Sequence, residues 1–115
     1  MKNSKGFSLL ELLIVVAIIL IIATIAIPSL LRSRQAANES AAVANLRTIN
    51  TAEVTYLSSS GGNYGDLNAL VSAGLLDDTF IGTATRPKAG YIYSLTATGS
   101  DYTAFAEPAS PNTGR

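Results

Sequence analysis

The residue whose placement first suggests chemistry is Glu11, a carboxylate at the start of a long apolar run. Residues 12–31 carry no charge, and the run ends at Arg32. An ionisable group inside a membrane-spanning segment is costly and is usually paired or functional, whereas one at headgroup depth costs little. We therefore expect Glu11 either to pair with a cation or to lie at a membrane surface.

The apolar run has the length of a transmembrane helix. At about 1.5 Å of rise per residue, residues 12–31 would span roughly 30 Å, the thickness of the hydrocarbon core of a bilayer. A secretory signal peptide fits poorly, because its apolar region is about 7–15 residues long and ends at a small-x-small cleavage site. The best such site, residues 24–26, lies directly before Pro28. A single-span anchor fits the length but leaves Gly6 and Phe7 unexplained.

The composition excludes several kinds of catalytic and binding site. The sequence contains no His and no Cys, so it offers no imidazole base, thiolate nucleophile, disulfide or Cys/His metal site. It has no glycine pattern that would cradle phosphate, and its formal net charge is zero, so no basic stripe would attract nucleic acid. We predict no enzyme, and no catalytic residue, cofactor, metal or nucleic-acid partner.

The N-terminal segment resembles the signature of type IV prepilins. The resemblance rests on the apolar run, on Pro28, and on the residues that lead into the run, Lys5-Gly6-Phe7-Ser8-Leu9-Leu10-Glu11. It implies that a membrane peptidase cuts between Gly6 and Phe7 and then methylates the new amino group of Phe7. The basic leader, residues 1–6, would be removed on the cytoplasmic side, while the apolar helix stays in the membrane.

The same resemblance implies a location and a set of partners. The precursor would be a single-pass protein of the bacterial cytoplasmic (inner) membrane, and the mature chain would be a subunit of an extracellular pilus fibre. Its partners would be other copies of the chain in a helical filament, the prepilin peptidase/methylase, an inner-membrane assembly platform and a cytoplasmic motor.

The resemblance also implies roles for Glu11 and Pro28. Cleavage would create a cation on Phe7, one helical turn from Glu11. In a fibre, Glu11 of one subunit would pair with the Phe7 amine of a neighbour and set the register, a use for which buried charge is well attested. A pair within one chain is the competing explanation. Pro28 removes one helix hydrogen bond and predicts a kink, and the resemblance implies that residues 23–27 lose helicity in a fibre.

The expected fold class is α+β: a long N-terminal helix with a small C-terminal antiparallel β-sheet packed on it. Residues 7–60 predict the helix, and residues 7–31 form its hydrophobic transmembrane or assembly segment. Beyond that segment, apolar side chains gather on one broad helical face: Val43, Leu46, Ile49, Val54, Tyr56 and Leu57. Glu53 falls inside this face, so it needs a partner or lies at the edge.

Residues 61–115 predict a small globular head. Asp66 is expected to cap a short helix over residues 67–73. Two alternating runs joined by a turn predict a hairpin over residues 91–106. Residues 107–115, which include two prolines, are expected to form a loose tail.

Alternative functions share the same N-terminal rules. A minor pilin or a type II secretion pseudopilin is the main one, and some pseudopilins bind calcium through acidic loops. Asp77, Asp78 and Asp101 would be the candidates here, although acids at helix ends and turns usually cap the backbone. Electron transport along a fibre is a third idea, for which the aromatic content is only that of an ordinary core. The purpose of a fibre is not encoded in these features.

Overall fold

The computed structural model describes residues 6–82, 86–111 and 113–114, so the expected leader lies outside the described residues except for Gly6. Its elements in chain order are helix α1, Leu9–Ser59; helix α2, Leu67–Ser72; a 3₁₀ turn, Asp78–Phe80; and strands β1, Tyr91–Ala97, and β2, Tyr102–Pro108. The predicted α+β class is confirmed.

The described chain divides after Ser33 into two compact units. In the N-terminal unit, the large apolar side chains of α1 up to Leu31 are exposed. By length and composition, α1 is the helix among the described residues that is apolar enough to cross a bilayer, and none of its most apolar stretch is buried. This stretch has no core of its own, so its apolar surface must be covered by something else.

The C-terminal unit, from Arg34 onwards, holds the hydrophobic core. Helix α1 contributes Ala42, Ile49 and Ala52, and the remaining core residues come from the head: Leu70, Leu76, Phe80, Tyr91 and Tyr93. The two alanines let the head approach the helix backbone closely, so small side chains occupy much of the buried surface of α1.

The predicted apolar face of α1 was partly wrong. Val43 and Val54 are 49% and 55% exposed, whereas Glu53 is fully buried. Taking about 100° per residue, Glu53 lies about 20° from Ala42 around the helix, while Val43 and Val54 lie about 100° and 120° from it. The angle around the helix therefore decides burial here, and it places the carboxylate near the middle of the core face.

The two strands form one antiparallel hairpin, paired from Tyr91 with Pro108 to Ala97 with Tyr102. The connecting loop is closed by a hydrogen bond from the Thr98 N–H to the Asp101 carbonyl, 2.8 Å. Gly99 within this loop has a φ of +78°, a conformation that glycine adopts without steric cost. Tyr91 and Tyr93 project from β1 into the core, which fixes the face that the hairpin turns towards α1.

The expected loose tail is instead bonded to the head. The Ala109 N–H and the Thr113 hydroxyl both donate to the Gly90 carbonyl, at 2.9 and 3.0 Å. The Asn38 side-chain amide of α1 donates to the Thr113 carbonyl at 2.9 Å. A turn closed by the Thr113 N–H on the Ser110 carbonyl brings the chain back to these partners. The prediction was wrong because small polar residues and prolines here build a turn.

Candidate processing and assembly site

Gly6 and Phe7, the residues of the predicted cleavage site, lie ahead of α1. Both are exposed, and the Phe7 side chain is 83% exposed. A Cβ placed on Gly6 would meet nothing within 4 Å, and Gly6 does not have a positive φ that would require glycine. No packing within the described chain therefore explains why a glycine stands at this position.

Ser8 and Glu11 form a reciprocal cap at the start of α1. The Glu11 N–H donates to the Ser8 hydroxyl oxygen at 3.1 Å, and the Ser8 N–H donates to a Glu11 carboxylate oxygen at 3.3 Å. Each side chain thus satisfies a backbone donor that a helix terminus leaves without a partner. The sequence reasoning missed this role of Glu11, although Ser-x-x-Glu before an apolar run is a known signal for it.

The cap with Ser8 uses the same Glu11 carboxylate that was expected to pair with the Phe7 amine. Within one chain, the carboxylate accepts a hydrogen bond from Ser8, and the free amine of Phe7 does not exist before cleavage. A carboxylate has two oxygens and several acceptor positions, so a cap on one oxygen leaves room for an ion pair on the other. Pairing between subunits stays a prediction.

Helix α1 continues through Pro28. Proline lacks an N–H, so it cannot bond to the carbonyl of Thr24, four residues earlier. The Thr24 hydroxyl donates instead to the Ile21 carbonyl at 2.7 Å, a local bond that often accompanies bending of a helix. A kink at Pro28 and loss of helicity over residues 23–27 in a fibre remain predictions.

Glu53 is the buried acid among the described residues of the C-terminal unit. Its side chain is 0% exposed, and one carboxylate oxygen accepts the Gly65 N–H at 3.0 Å. The other oxygen, Oε2, has no hydrogen-bond partner among the described residues. Burial is the largest influence on the carboxyl and raises its pKa above the ordinary value, and the negative charge of Asp66 adds to the rise against the lowering effect of the Gly65 hydrogen bond.

Aromatic rings pack beside Gly65 and at its neighbour Tyr64. A Cβ on Gly65 would lie 2.8 Å from the Tyr56 ring and 3.0 Å from the Ala69 side chain, so Gly65 approaches both closely. Tyr64 and Tyr102 make an edge contact with ring centroids 4.6 Å apart, and the Tyr102 hydroxyl donates to the Asn50 side chain. These contacts pack the loop after α1 against β2.

Two of the acids considered for calcium, Asp77 and Asp101, bond to the backbone. Asp77 accepts the Thr79 N–H at 3.0 Å at the start of the 3₁₀ turn, and Asp101 accepts the Tyr102 N–H at 2.9 Å. Within residues 6–82, 86–111 and 113–114, no group of three acidic, His or Cys side chains is placed to hold a metal ion. The hydrogen bond from the Thr79 hydroxyl is the main cause that holds the pKa of Asp77 below its ordinary value.

Comparisons with known proteins point to one family. Residues 1–27 match the family described as the prokaryotic N-terminal methylation motif. Over 75 residues the chain is 41% identical to the type IV wide pilus major component PilA4 of Thermus thermophilus, a match that covers 65% of this chain and 57% of that protein. Over 56 residues it is 44% identical to the type IV major pilin protein PilA of Myxococcus xanthus, covering 49% of this chain and 26% of that protein. No solved structure matches the chain.

The motif and these relatives support a type IV pilin family for the chain. The chain spans little more than half of one relative and about a quarter of the other.

Proposed function

We propose that the chain is a structural subunit of a type IV pilus that polymerises through its N-terminal helix into an extracellular fibre. The observation that carries the proposal is the exposed apolar stretch of α1, most of which lies within the N-terminal methylation motif matched over residues 1–27. Both relatives are named as major pilus components, which favours this function over a minor pilin or a secretion pseudopilin.

The exposed stretch gives a physical reason for assembly. Burying one large aliphatic side chain stabilises a protein by about 1.5–3 kcal/mol, and α1 exposes a long series of them: Leu9, Leu10, Leu12, Leu13, Ile14, Val15, Val16, Ile18, Ile19, Leu20, Ile21, Ile22, Ile25, Ile27, Leu30 and Leu31. Water is therefore a poor environment for this segment. The inner membrane covers it in the precursor, and the same segments of neighbouring subunits cover it in the fibre.

The processing step takes place at the bond between Gly6 and Phe7. A prepilin peptidase hydrolyses this peptide bond, releases the leader, and transfers a methyl group to the new amine of Phe7. The exposure of both residues supports access by an enzyme, and the lack of any internal need for glycine at position 6 supports recognition from outside the chain.

Glu11 then has two roles that use different oxygens. One oxygen keeps the cap with Ser8, as in the single chain. The other pairs with the Phe7 amine of a neighbouring subunit, because an unpaired charge in an apolar fibre core would be costly. The ion pair sets the axial register between subunits, while the cap holds the start of the helix.

The protein is a substrate and a building block rather than an enzyme. Its relatives are structural pilins, and its sequence has neither His nor Cys. Its partners are further copies of itself, the peptidase that also methylates it, an inner-membrane platform and a cytoplasmic motor. The precursor resides in the bacterial inner membrane, and the mature chain in the fibre.

The deciding experiment is an intact mass measurement on protein sheared from its native cells and sedimented. A chain that begins at methylated Phe7, and that forms the bulk of a sedimentable fibre, is the expected result. A chain that still begins at Met1 and stays in the membrane fraction would overturn the proposal. A correctly processed chain present only as traces in fibres made of another pilin would favour the minor-subunit alternative.

A further inference from the structure

Glu53 is a buried acid that neither processing nor assembly requires. It lies on α1, well beyond the apolar stretch, and its side chain is fully buried. Its contact with Gly65 is the hydrogen bond that connects it to the loop of residues 60–66, which joins α1 to α2. Its second oxygen is without a hydrogen-bond partner in the described part of the chain, an arrangement that costs free energy when the carboxyl is ionised.

The loop depends on two adjacent backbone N–H groups. The Tyr64 N–H donates to the Gly99 carbonyl of the hairpin turn at 2.7 Å, and the Gly65 N–H donates to Glu53 at 3.0 Å. Ahead of these anchors, Gly61 and Gly62 both have positive φ values, +79° and +98°, and the added freedom of glycine gives the loop a hinge. The start of the loop is also bonded to α1, since the Gly62 N–H donates to the Leu57 carbonyl at 3.1 Å. The bond to Glu53 therefore holds the second half of the loop, residues 63–66, on the helix.

Burial favours the neutral form of Glu53 most strongly, and it outweighs the Gly65 hydrogen bond, which favours the ionised form. Asp66, at the start of α2, acts on it with a like charge. On β2, the Tyr102 hydroxyl donates a hydrogen bond to Asn50. Tyr64 of the loop and Asp101 of the hairpin turn interact electrostatically with Tyr102. The ion pair found among the described residues joins Lys88 to Asp77, not to Glu53. No cation seen in these contacts compensates the carboxylate.

We propose that Glu53 is a proton-dependent latch: when neutral it holds residues 63–66 of the loop against α1, and when ionised it releases them. Ionisation requires water at the carboxylate, which is fully buried and bonded to Gly65 of the loop. Water therefore reaches Glu53 by movement of the loop, for which Gly61 and Gly62 supply the hinge.

The sign of the pH dependence follows from burial. An acid whose folded-state pKa is raised favours its protonated form, so its contribution is complete below the unfolded pKa, about 4.3 for glutamate. The contribution is lost as the pH rises through the raised pKa of the folded state. The latch is thus closed at acidic pH and opens as the pH rises through the raised pKa of Glu53.

The test is amide hydrogen exchange of the full chain in detergent micelles as a function of pH, with the carboxyl carbons of Glu53 and Glu107 titrated by NMR. Glu53→Gln keeps an oxygen for the Gly65 N–H but cannot ionise, and Glu107→Gln, at an exposed position on β2, is the matched control. We expect the protection of Gly65 and Tyr64 to fall at least tenfold in the wild type and in Glu107→Gln as the Glu53 carboxyl titrates. Protection should stay constant in Glu53→Gln, and the amides of β1 should stay protected in all three.

Two results at Glu53 and Gly65 would overturn the latch. One is a Glu53 carboxyl that titrates at the same pH as Glu107, a measurement on the wild type that remains decisive even when Glu53→Gln does not fold. The other is a loss of Gly65 protection with pH in Glu53→Gln that equals the loss in the wild type. Loss of β1 protection together with that of the loop would also contradict it, since the whole head rather than the loop would then be opening.

Discussion

Ser8 and Glu11 cap the start of α1 for each other, the hydroxyl accepting the Glu11 N–H at 3.1 Å and the carboxylate accepting the Ser8 N–H at 3.3 Å. The acid at the edge of the apolar run therefore has a function in the single chain, before any neighbour is present. Glu11 can therefore act as a helix cap, as a register-setting charge between subunits, or as both. Substitutions at Ser8 and Glu11 distinguish these two roles.

Replacing Ser8 by Ala removes the side-chain half of the cap. Loss of a serine cap costs about 0.5–2 kcal/mol of helix stability, and the first turn, which includes the Leu12 N–H bond to the Ser8 carbonyl, should fray. Amide exchange at residues 9–12 in micelles should speed up, whereas exchange beyond residue 20 should not change. Ser40→Ala, at an exposed position within α1, is the control; equal exchange at residues 9–12 in the two variants would show that the cap contributes nothing.

Glu11→Gln and Glu11→Ala differ in what they keep. Glutamine can serve in the same capping position as glutamate, so Glu11→Gln preserves the cap and removes only the charge. Alanine removes both. If the charge sets the register by pairing with the Phe7 amine, both variants should be cleaved but should yield at least tenfold fewer sheared fibres. Normal fibre yield from Glu11→Gln with a low yield from Glu11→Ala would assign the role to the cap, and would contradict the ion pair.

Gly6→Ala tests recognition of the cleavage site by the peptidase. The added methyl group would have no atom within 4 Å, and the φ angle of Gly6 is not positive. The fold and the membrane insertion should therefore be unchanged. Cleavage should fall at least tenfold, because we expect the peptidase to recognise glycine at this position. The processed fraction is read from intact masses of membrane-extracted protein, with Ser8→Ala as a control close to the same bond. Full processing of Gly6→Ala would mean that the glycine is not recognised.

The elements that could be predicted are those with a local signal. The uncharged run and the absence of a strong breaker other than Pro28 indicated a long helix, and the structure has α1 over Leu9–Ser59. Asp66 was expected to cap a helix over residues 67–73, and it accepts the Ala69 N–H at 2.8 Å at the start of Leu67–Ser72. In each case, residues within a few positions of one another contain the information.

Features that depend on distant residues could not be predicted in the same way. Burial of Glu53 and exposure of Val43 depend on which side of α1 the head packs against, and hydrophobicity alone ranks these residues in the wrong order. The partners of Glu53 and of Thr113 lie in loops whose paths the sequence does not reveal. The pairing of Glu11 with a neighbouring subunit cannot be read from one chain, because it is a property of the assembled fibre.

Thr113 gives a stability test of the anchored C-terminal segment. Its hydroxyl donates to the Gly90 carbonyl at 3.0 Å, and its carbonyl accepts the Asn38 side-chain amide. Thr113→Val keeps the shape and removes the hydroxyl, which should lower the free energy of unfolding of the C-terminal unit by about 1 kcal/mol. Thr103→Val, at an exposed position on β2, should change it by less than about 0.5 kcal/mol. Urea unfolding followed by tyrosine fluorescence measures both, and equal stability of the two variants would return residues 109–114 to the loose tail first expected of them.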